Sequence, residues 1–501
     1  MINVRNYNKL LKNSLWSSSS FIFITLISFL ILPYIIKKLS IEGYGIYILI
    51  TSLIGFYGIL DLGLGSALIK YVAEFYEKKE YERLNVYINS SLFVQSFIGL
   101  ISSAFILFFS KSIIYFLNIN KYSFFETTLA LKICAIGFFF TFIGGAYKAI
   151  LQGLQLYKIT SLIDSLLNLA LNILLVVVLY IGYGLIGSIV INVLVAFISF
   201  IIYWIIVKKN LPTYSLRVFV DIKSLKDIIS FSFFIFLSKI SNMFSHYIVR
   251  FVISFFLGPE AVTYYTVPSK LVGAIGGIAS SSISAIFPFS SQLSAANNNA
   301  EIKTLFLKSS RIFIAIIFPI SFFICIFSRQ ILTLWMGAEF AKNSWLVLTI
   351  ISFSSFIGGL SAIPNLIILG SGNSKLIGLF SIFTIILYII SLPLLTKFFG
   401  IIGTAIALLI TSCGVIYYVI IKTTEYTNIN INEFLNFVLR PHLNFFILGA
   451  LLLPVVVING NQKPIVVFTF GIILMLLHYL FLMRKELIPI KNIYPKLFQN
   501  I

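Results

Sequence analysis

Long apolar runs separated by short polar segments make up nearly the whole chain. Because the hydrocarbon core of a bilayer, roughly 30 Å thick, takes about 20 apolar residues of helix, these runs predict about fourteen membrane-spanning helices. Their centres lie near residues 25, 56, 98, 136, 170, 196, 240, 273, 318, 356, 385, 411, 450 and 474. None of the polar segments is long enough to fold as a domain. The pattern therefore predicts an all-α polytopic membrane protein.

The composition agrees with the hydrophobic pattern. The 501 residues are 59% hydrophobic and 10% charged, whereas an ordinary soluble chain is about 25% charged. Such a chain has too little polar surface to cover a soluble globule. A soluble enzyme, a secreted disulfide scaffold and a disordered protein are excluded.

The charges are strongly unbalanced, with 36 Lys and Arg against 16 Asp and Glu, for a net charge of +20. In a soluble protein this excess would suggest nucleic acid. In a membrane protein it follows from the rule that cytoplasmic loops collect Lys and Arg. With the N-terminus inside, the cytoplasmic segments carry roughly three times as many cations as the opposite side. We expect a multi-pass protein of the cell (plasma or inner) membrane with both termini cytoplasmic, and no nucleic-acid partner.

Three pairs of sequence blocks recur at almost one offset. Lys158 and Lys375 open two predicted spans, and Gly187 and Gly403 follow the ends of those spans. The third pair is Leu39-Ser40-Ile41-Glu42 and Leu257-Gly258-Pro259-Glu260. The residue numbers of the lysines differ by 217, those of the glycines by 216 and those of the glutamates by 218. The offset covers six helices, an even number, so both copies enter the membrane in the same sense. This predicts a parallel repeat, as in transporters whose halves rock about a central site.

The repeat gives a domain organisation of two six-helix lobes and an appendage of two helices. Between the lobes lies a polar cytoplasmic stretch that contains Pro212. The expected segments are 1–207 for helices 1–6, 208–227 for the inter-lobe linker, 228–421 for helices 7–12, 442–483 for helices 13–14, and 484–501 for a cytoplasmic tail.

One face of the seventh span carries several basic groups. At 100° per residue, His246 and Arg250 lie within about 20° of Lys239 around the helix, and Asn242 flanks them. A charged residue inside a span costs roughly 2.5–3.5 kcal/mol on insertion scales, so it usually faces a cavity or a partner. We interpret these four residues as candidate substrate-binding groups. For His246, a hydrogen bond between helices is the alternative.

Other ionisable residues also fall at membrane depth. Lys132 in the fourth span and Lys270 in the eighth are further candidates for substrate binding, although their side chains could instead snorkel to an interface. Asp61 lies toward the cytoplasmic end of the second span, and Asp164 lies near the start of the fifth. We interpret both as hydrogen-bonding residues between helices, with a site for a coupling ion as the alternative.

Several kinds of catalytic motif are missing from the sequence. It contains no G-x-x-x-x-G-K phosphate loop and no H-E-x-x-H motif, and Cys134, Cys325 and Cys413 lack metal-ligand spacing. The predicted outside loops have no acid cluster for general acid–base chemistry on a sugar. We therefore expect a protein that is not an enzyme and that holds no cofactor or metal.

Glycine-rich motifs give the sequence a resemblance to a known family. Gly43-Tyr44-Gly45-Ile46-Tyr47, Asp61-Leu62-Gly63-Leu64-Gly65, the block from Gly153 to Gly187, and Asn13-Ser14-Leu15-Trp16 are similar to those of polysaccharide flippases, the Wzx-type exporters of O-antigen and capsule units. These belong to the multidrug/oligosaccharidyl-lipid/polysaccharide exporter superfamily, with the MATE drug exporters and lipid II flippases. The resemblance covers nearly the whole chain.

The resemblance implies a MATE-like fold and a role in surface polysaccharide biosynthesis. The expected function is flipping of undecaprenyl-pyrophosphate-linked oligosaccharide repeat units from the cytoplasmic to the outer leaflet by alternating access. Expected partners are that lipid-linked oligosaccharide, membrane lipids and a polysaccharide polymerase, with H⁺ or Na⁺ as coupling ion because no ATP motif is present. Lys239 and Arg250 suit a pyrophosphate, whose desolvation in the membrane must be offset by fixed cations.

Two other functions remain open at the level of the sequence. An ion-coupled, MATE-like multidrug exporter would require an acid in its cavity to bind organic cations, whereas the candidate residues here are mostly basic. A membrane glycosyltransferase or polymerase would require catalytic acids and a substantial outside loop, and the loops here are short.

Overall fold

The computed structural model describes residues 4–55, 60–61, 63–119, 124–211, 214–215, 240, 243, 247–283, 286–296, 298–442, 469, 471–473 and 475–480. Within these ranges the regular secondary structure is helical, without a strand, which confirms the predicted all-α class. The count of fourteen spans stays a prediction, because several predicted spans lie partly outside the described residues.

The helices follow one another with short connections. In the first half of the chain they are α1 Val4–Gly55, α2 Leu64–Glu77, α3 Tyr81–Phe116, α4 Phe124–Gly153, α5 Tyr157–Ile181, α6 Gly184–Asn210, α7 Val249–Leu257 and α8 Pro259–Ile283. In the second half they are α9 Ile286–Ala295, α10 Asn299–Met336, α11 Ala338–Gly359, α12 Ala362–Gly370, α13 Ser374–Thr427 and α14 Ile431–Val438, followed by a 3₁₀ turn at Arg440–His442.

Eight of the described helical stretches are long and apolar enough to cross a membrane, judged by length and composition. Two helices are far too long for one crossing. α13, with 54 residues, would extend about 80 Å if straight, against a hydrocarbon core of roughly 30 Å. Its backbone breaks at Gly400, and that of α1 breaks at Ser40. The two parts of α13 are each long enough for one span, and the chain is a multi-span membrane protein.

The residues form two compact units, 1–263 and 264–501, which divide within α8. In the first unit, α4 packs along α6 through two glycines, Gly137 and Gly144. A Cβ atom at Gly137 would lie 2.8 Å from the Val193 side chain, and one at Gly144 would lie 3.4 Å from Phe200. Lipid provides no hydrophobic force between helices, so such small residues let the backbones approach and gain van der Waals contact. The predicted lobe boundaries and linker stay a prediction.

The internal repeat is visible in the backbone as well as in the sequence. Residues with positive φ recur at nearly the same offset as the sequence blocks. Ser40 and Gly258 agree in both angles, with φ 69° and ψ 167° in one copy and φ 83° and ψ 174° in the other. The further pairs are Asn118 and Gly337, Gln155 and Gly372, and Gly184 and Gly400.

A close helix contact also occurs in both units. A Cβ atom at Gly153 would lie 2.6 Å from Val72 Cβ and 3.0 Å from the Ile69 carbonyl oxygen. At the equivalent Gly370, it would overlap Ser290 Oγ and lie 3.0 Å from the Phe287 carbonyl oxygen. The partner residues are related by the offset of the repeat, so these glycines mark the same packing position in each unit. These contacts and the recurring backbone angles confirm that the fold contains an internal repeat.

The break at Ser40 leads to a prediction about stability. Its φ and ψ fall in a region that is essentially reserved for glycine and costs another residue about 1–3 kcal/mol. Ser40 Oγ accepts the Gly43 N–H at 3.1 Å and so caps the helix that follows, but replacing such a cap by Gly costs only a few tenths of a kcal/mol. We expect Ser40→Gly to raise the thermal stability of the purified protein in detergent, by about 1 kcal/mol.

Two control substitutions separate strain from capping. Ser40→Ala keeps the strain and loses the cap, so it should lower stability. Gly258→Ala introduces strain where only the Asn118 carbonyl oxygen lies nearby, 3.9 Å from the new Cβ, and it should also lower stability. A melting temperature for Ser40→Gly at or below that of the wild type would contradict the assignment of strain to this residue.

Candidate functional site

The structure describes five of the eight candidate site residues. Lys239, Asn242 and His246 lie outside the described residues, and their shared face on the seventh span stays a prediction. The described candidates are Arg250 on α7, Lys132 on α4, Lys270 on α8, Asp61 before α2 and Asp164 on α5. Lys132 and Lys270 are both exposed along their helices.

Arg250 is a half-buried cation held against the second half of α1. Its Nη1 donates a hydrogen bond of 2.8 Å to Ser52 Oγ, and its guanidinium carbon lies 5.5 Å from the centroid of the Tyr247 ring. The buried Ser52 hydroxyl in turn donates to the Ile48 carbonyl oxygen at 2.6 Å. Because the hydroxyl proton is used in that bond, a lone pair of Ser52 faces the guanidinium and fixes its direction.

A glycine makes room for this arrangement. A Cβ atom at Gly55 would overlap Cε1 of Tyr247, so any larger residue would displace the ring. Arg250 therefore bonds to Ser52 with the Tyr247 ring beside it, because Gly55, one turn further along α1, has no side chain. A cation stacked on an aromatic face gains about 0.5–2 kcal/mol, more as water is excluded.

The Gly-Tyr-Gly motif of the sequence lies beside this cation. Tyr44 is buried and interacts electrostatically with Arg250, and its ring stacks on Tyr47 with centroids 6.1 Å apart. The Tyr47 hydroxyl accepts a 3.0 Å hydrogen bond from Asn192 of α6. Gly45 lies between the two tyrosines in the sequence, and a Cβ atom there would overlap the Pro259 carbonyl oxygen. The glycine thus permits close packing, and Tyr44 lies within electrostatic reach of Arg250.

Hydrogen bonds to backbone carbonyls fix the helices around Arg250. Ser254 Oγ of α7 donates to the Leu117 carbonyl oxygen at the end of α3, at 2.6 Å. Thr263 Oγ1 of α8 donates to the Ile41 carbonyl oxygen just after the break in α1, also at 2.6 Å. These bonds hold α1, the end of α3, α7 and α8 together near Arg250. The fixed helices limit the directions that the Arg250 side chain can take.

Asp61 acts on the backbone of its own span. It is 2% exposed and lies in the interval between α1 and α2. Its carboxylate accepts the Gly65 N–H at 3.0 Å, and its carbonyl accepts the Leu64 N–H at 2.7 Å. A carboxylate at a helix N-terminus satisfies free N–H groups and interacts favourably with the helix dipole. The described bonds of Asp61 are thus those of a cap for α2.

Asp164 is the centre of a three-residue polar group. Its carboxylate pairs with Lys148 Nζ of α4 at 2.6 Å and accepts a 2.5 Å hydrogen bond from the buried Tyr203 hydroxyl of α6. Asn168 and Asn172 follow it at four-residue intervals on α5, as the sequence pattern indicates, and their amides donate to the carbonyls of Asp164 and Asn168. The group joins three helices of the first unit.

Sequence reasoning did not single out Lys148, because it lies beyond the expected end of a span centred near residue 136. The helix in fact continues beyond it to Gly153, so Lys148 projects from its side. Sequence reasoning also missed that His442 and His478, far apart in the chain, lie together. The signal in the sequence was that His442 precedes a long apolar run and that His478 interrupts another.

The chain was compared with protein families. Residues 10–294, more than half of the chain, match the model of a family described as "Polysaccharide biosynthesis protein". The chain belongs to this family. The match includes the Gly-Tyr-Gly motif and Arg250, so the site described above lies within the family region.

Individual proteins agree with the family assignment. A Shigella flexneri protein named "Putative O-antigen transporter" is 25% identical over 398 residues, which are 79% of this chain and 94% of that protein. Among solved structures, the lipid II flippase MurJ in an inward closed conformation matches with a TM-score of 0.72 at 16% identity, over 97% of this chain and 99% of that one.

An inward-facing MATE multidrug transporter also matches, with a TM-score of 0.65 at 16% identity, over 81% of this chain and 98% of that one. These similarities confirm the predicted MATE-like fold. The relatives are named as transporters or a flippase, in agreement with the expectation that the chain is not an enzyme.

The ion pair between Asp164 and Lys148 leads to a prediction about variants in which one or both charges are removed. If the carboxylate serves to hold Lys148 and Tyr203, then neutralising both members of the ion pair should be tolerated, because no unpaired charge remains. We expect cells with Asp164→Asn and Lys148→Gln together to keep their surface polysaccharide. Asp164→Leu alone, which leaves Lys148 unpaired, should lower protein abundance. Loss of polymer in the double variant at normal abundance would instead assign a coupling ion to Asp164.

Proposed function

We propose that this protein is a flippase for lipid-linked oligosaccharides. It moves repeat units carried on undecaprenyl pyrophosphate from the cytoplasmic to the outer leaflet, for assembly of a surface polysaccharide. The family membership supports this proposal, as does the relative named as an O-antigen transporter, which aligns with 79% of the chain. The similarity in fold to a lipid II flippase, over 97% of the chain, is in agreement.

Arg250 is the observation on which the proposal about substrate chemistry rests. A pyrophosphate that enters a region of low dielectric loses hydration worth many kcal/mol and requires fixed cations or donors in exchange. A guanidinium held by Ser52 and Tyr247 is pre-oriented, so little side-chain entropy is lost when it binds a phosphate. In this proposal Lys239, Asn242 and His246 lie beside it on the same helix face, with Lys132 and Lys270 as further contacts.

The transport cycle in this proposal is alternating access. The site opens first to the cytoplasm and then to the outside, while the polyprenyl tail stays in the bilayer. Both termini are cytoplasmic, and a gradient of H⁺ or Na⁺ drives the cycle, with Asp61 and Asp164 as the carboxylates to test for coupling. A polysaccharide polymerase uses the flipped unit.

The alternative is an ion-coupled multidrug exporter, for which the similarity to a MATE transporter is the supporting observation. That likeness concerns the fold. An organic cation near Arg250 would be repelled, because two positive charges interact strongly where water is scarce. A membrane glycosyltransferase or polymerase has no such support in the comparisons.

A charge-removing substitution tests the role of Arg250. A gene-deletion strain complemented with Arg250→Gln should produce about tenfold less surface polysaccharide or worse, because a hydrogen bond to a charged group contributes about 1.5–3 kcal/mol. Combining Lys239→Ala with Arg250→Ala should abolish export. Arg250→Lys should retain part of it, since the charge is kept and the planar fork is lost.

The matched control is Arg329→Gln, which removes one exposed cation from α10 and should leave polymer at the wild-type level. Protein abundance in the membrane must be equal in all strains, measured by immunoblot. Normal export by Arg250→Gln at normal abundance would remove the substrate-binding role. Normal polymer with raised sensitivity of the deletion strain to cationic dyes would favour the drug exporter.

A further inference from the structure

A second group of basic residues lies in the unit formed by residues 264–501. His442 ends the 3₁₀ turn after α14, and His478 lies on the described helical stretch 475–480. Both rings are buried, with 3% and 7% exposure, and His442 Nδ1 lies 3.3 Å from His478 Nε2. The His442 ring also packs on Phe318 of α10, with centroids 5.4 Å apart.

The C-terminal helical stretch is fixed along α10 at both ends. The Tyr479 hydroxyl donates to the Ile316 carbonyl oxygen at 2.9 Å. At the other end, a Cβ atom at Gly471 would overlap the Phe327 ring. The two helices therefore run antiparallel in close contact, which carries His478 to the segment of α10 that also holds Phe318.

Arg311 lies on α10 seven residues before Phe318, and at 100° per residue the two share one face of that helix. Its guanidinium carbon lies 4.6 Å from the centroid of Phe437 on the short amphipathic helix α14. α14 is itself attached to α10, since Phe434 stacks on Phe306 at 5.2 Å and Glu433 pairs with Lys303 at 3.1 Å. Arg311 is thus held in place by a ring and by helix packing.

Two buried nitrogen atoms of this group have unused hydrogen-bonding capacity. Within the part of the chain that the structure describes, Arg311 Nε and His442 Nε2 are buried without a partner. Among the described residues, His478 and Arg311, both basic, interact electrostatically with His442. Leaving a buried donor unsatisfied costs about 1–3 kcal/mol, and more for a charged group. A ligand with acceptor oxygens would remove this cost.

We propose that Arg311 and His442 form a binding site for a phosphate group in the second unit. Arg311 offers Nε–H as part of its planar fork, which matches phosphate oxygens. His442 offers Nε2–H in the tautomer that accepts a hydrogen bond from His478 at Nδ1. Basic pockets between membrane helices near the cytoplasmic leaflet commonly hold anionic lipid headgroups. The phosphate comes either from such a headgroup or from free phosphate.

This site is separate from the proposed transport function, since it uses none of the residues around Arg250. Its test therefore measures binding and not export. The full-length protein is delipidated in detergent and titrated with phosphatidylglycerol, and bound lipid is counted by native mass spectrometry. A phosphate-free glycolipid, monoglucosyl diacylglycerol, is titrated in parallel, and inorganic phosphate is added as a competitor with chloride at the same ionic strength for comparison.

The wild type should bind at least one phosphatidylglycerol in preference to the glycolipid. Arg311→Gln and His442→Phe should weaken that binding about tenfold, the effect of roughly 1.4 kcal/mol. The matched control, Arg440→Gln, removes an exposed cation two residues from His442 and should leave the affinity within about twofold of the wild type. Competition by inorganic phosphate, but not by chloride, would assign free phosphate as an occupant, whereas no competition would assign the headgroup.

Equal binding of the glycolipid and phosphatidylglycerol by the wild type would overturn the proposal, and this comparison needs no variant. Unchanged phosphatidylglycerol affinity in a folded Arg311→Gln protein would also overturn it. A protein that binds the lipid as expected but fails to flip oligosaccharides would leave this site standing and contradict only the proposed function.

Discussion

Close approach of helix backbones in lipid is the constraint on which the rest of the structure depends. Because lipid tails are as apolar as leucine, helices gain nothing by hiding apolar side chains from them, and they must associate through tight contact and hydrogen bonds. Gly45 against Pro259, Gly55 against Tyr247, and Gly153 against Val72 are places where even one methyl group would collide with a neighbour. These glycines position the polar side chains that lie between the helices.

The internal repeat is visible in the helix packing, whereas the polar residues described around Arg250 and Asp164 lie where the two copies differ. Gly153 and Gly370 make the same contact in each unit, but Lys148, Asp164 and Tyr203 correspond, at the offset of the repeat, to Asn365, Ser381 and Val419. Arg250 likewise corresponds to Leu32. The two units therefore share helix contacts but differ in their polar groups. One unit has an ion pair and an oriented arginine, and the other has a histidine pair with an arginine.

The sequence was sufficient for the fold class and the repeat because both depend on local patterns. The lengths of the apolar runs predict helices, and the similar blocks at Gly187 and Gly403 predict the offset of the repeat. The partners of the polar residues could not be predicted. Arg250 and Ser52 are 198 residues apart, and Lys148 meets Asp164 only because α4 extends past the expected membrane boundary. Helical periodicity places a residue on a face of its own helix, but it does not specify which helix packs there.

The measurement that tests the central claim most directly is the leaflet in which lipid-linked repeat units reside in cells lacking this gene. The account predicts that surface polymer is lost and that the units accumulate on the cytoplasmic face, inaccessible to an externally added lectin or glycosidase. Complementation by the wild-type gene should return them to the outer face. Units displayed outside but left unpolymerised in the deletion strain would contradict flipping and indicate a polymerase instead.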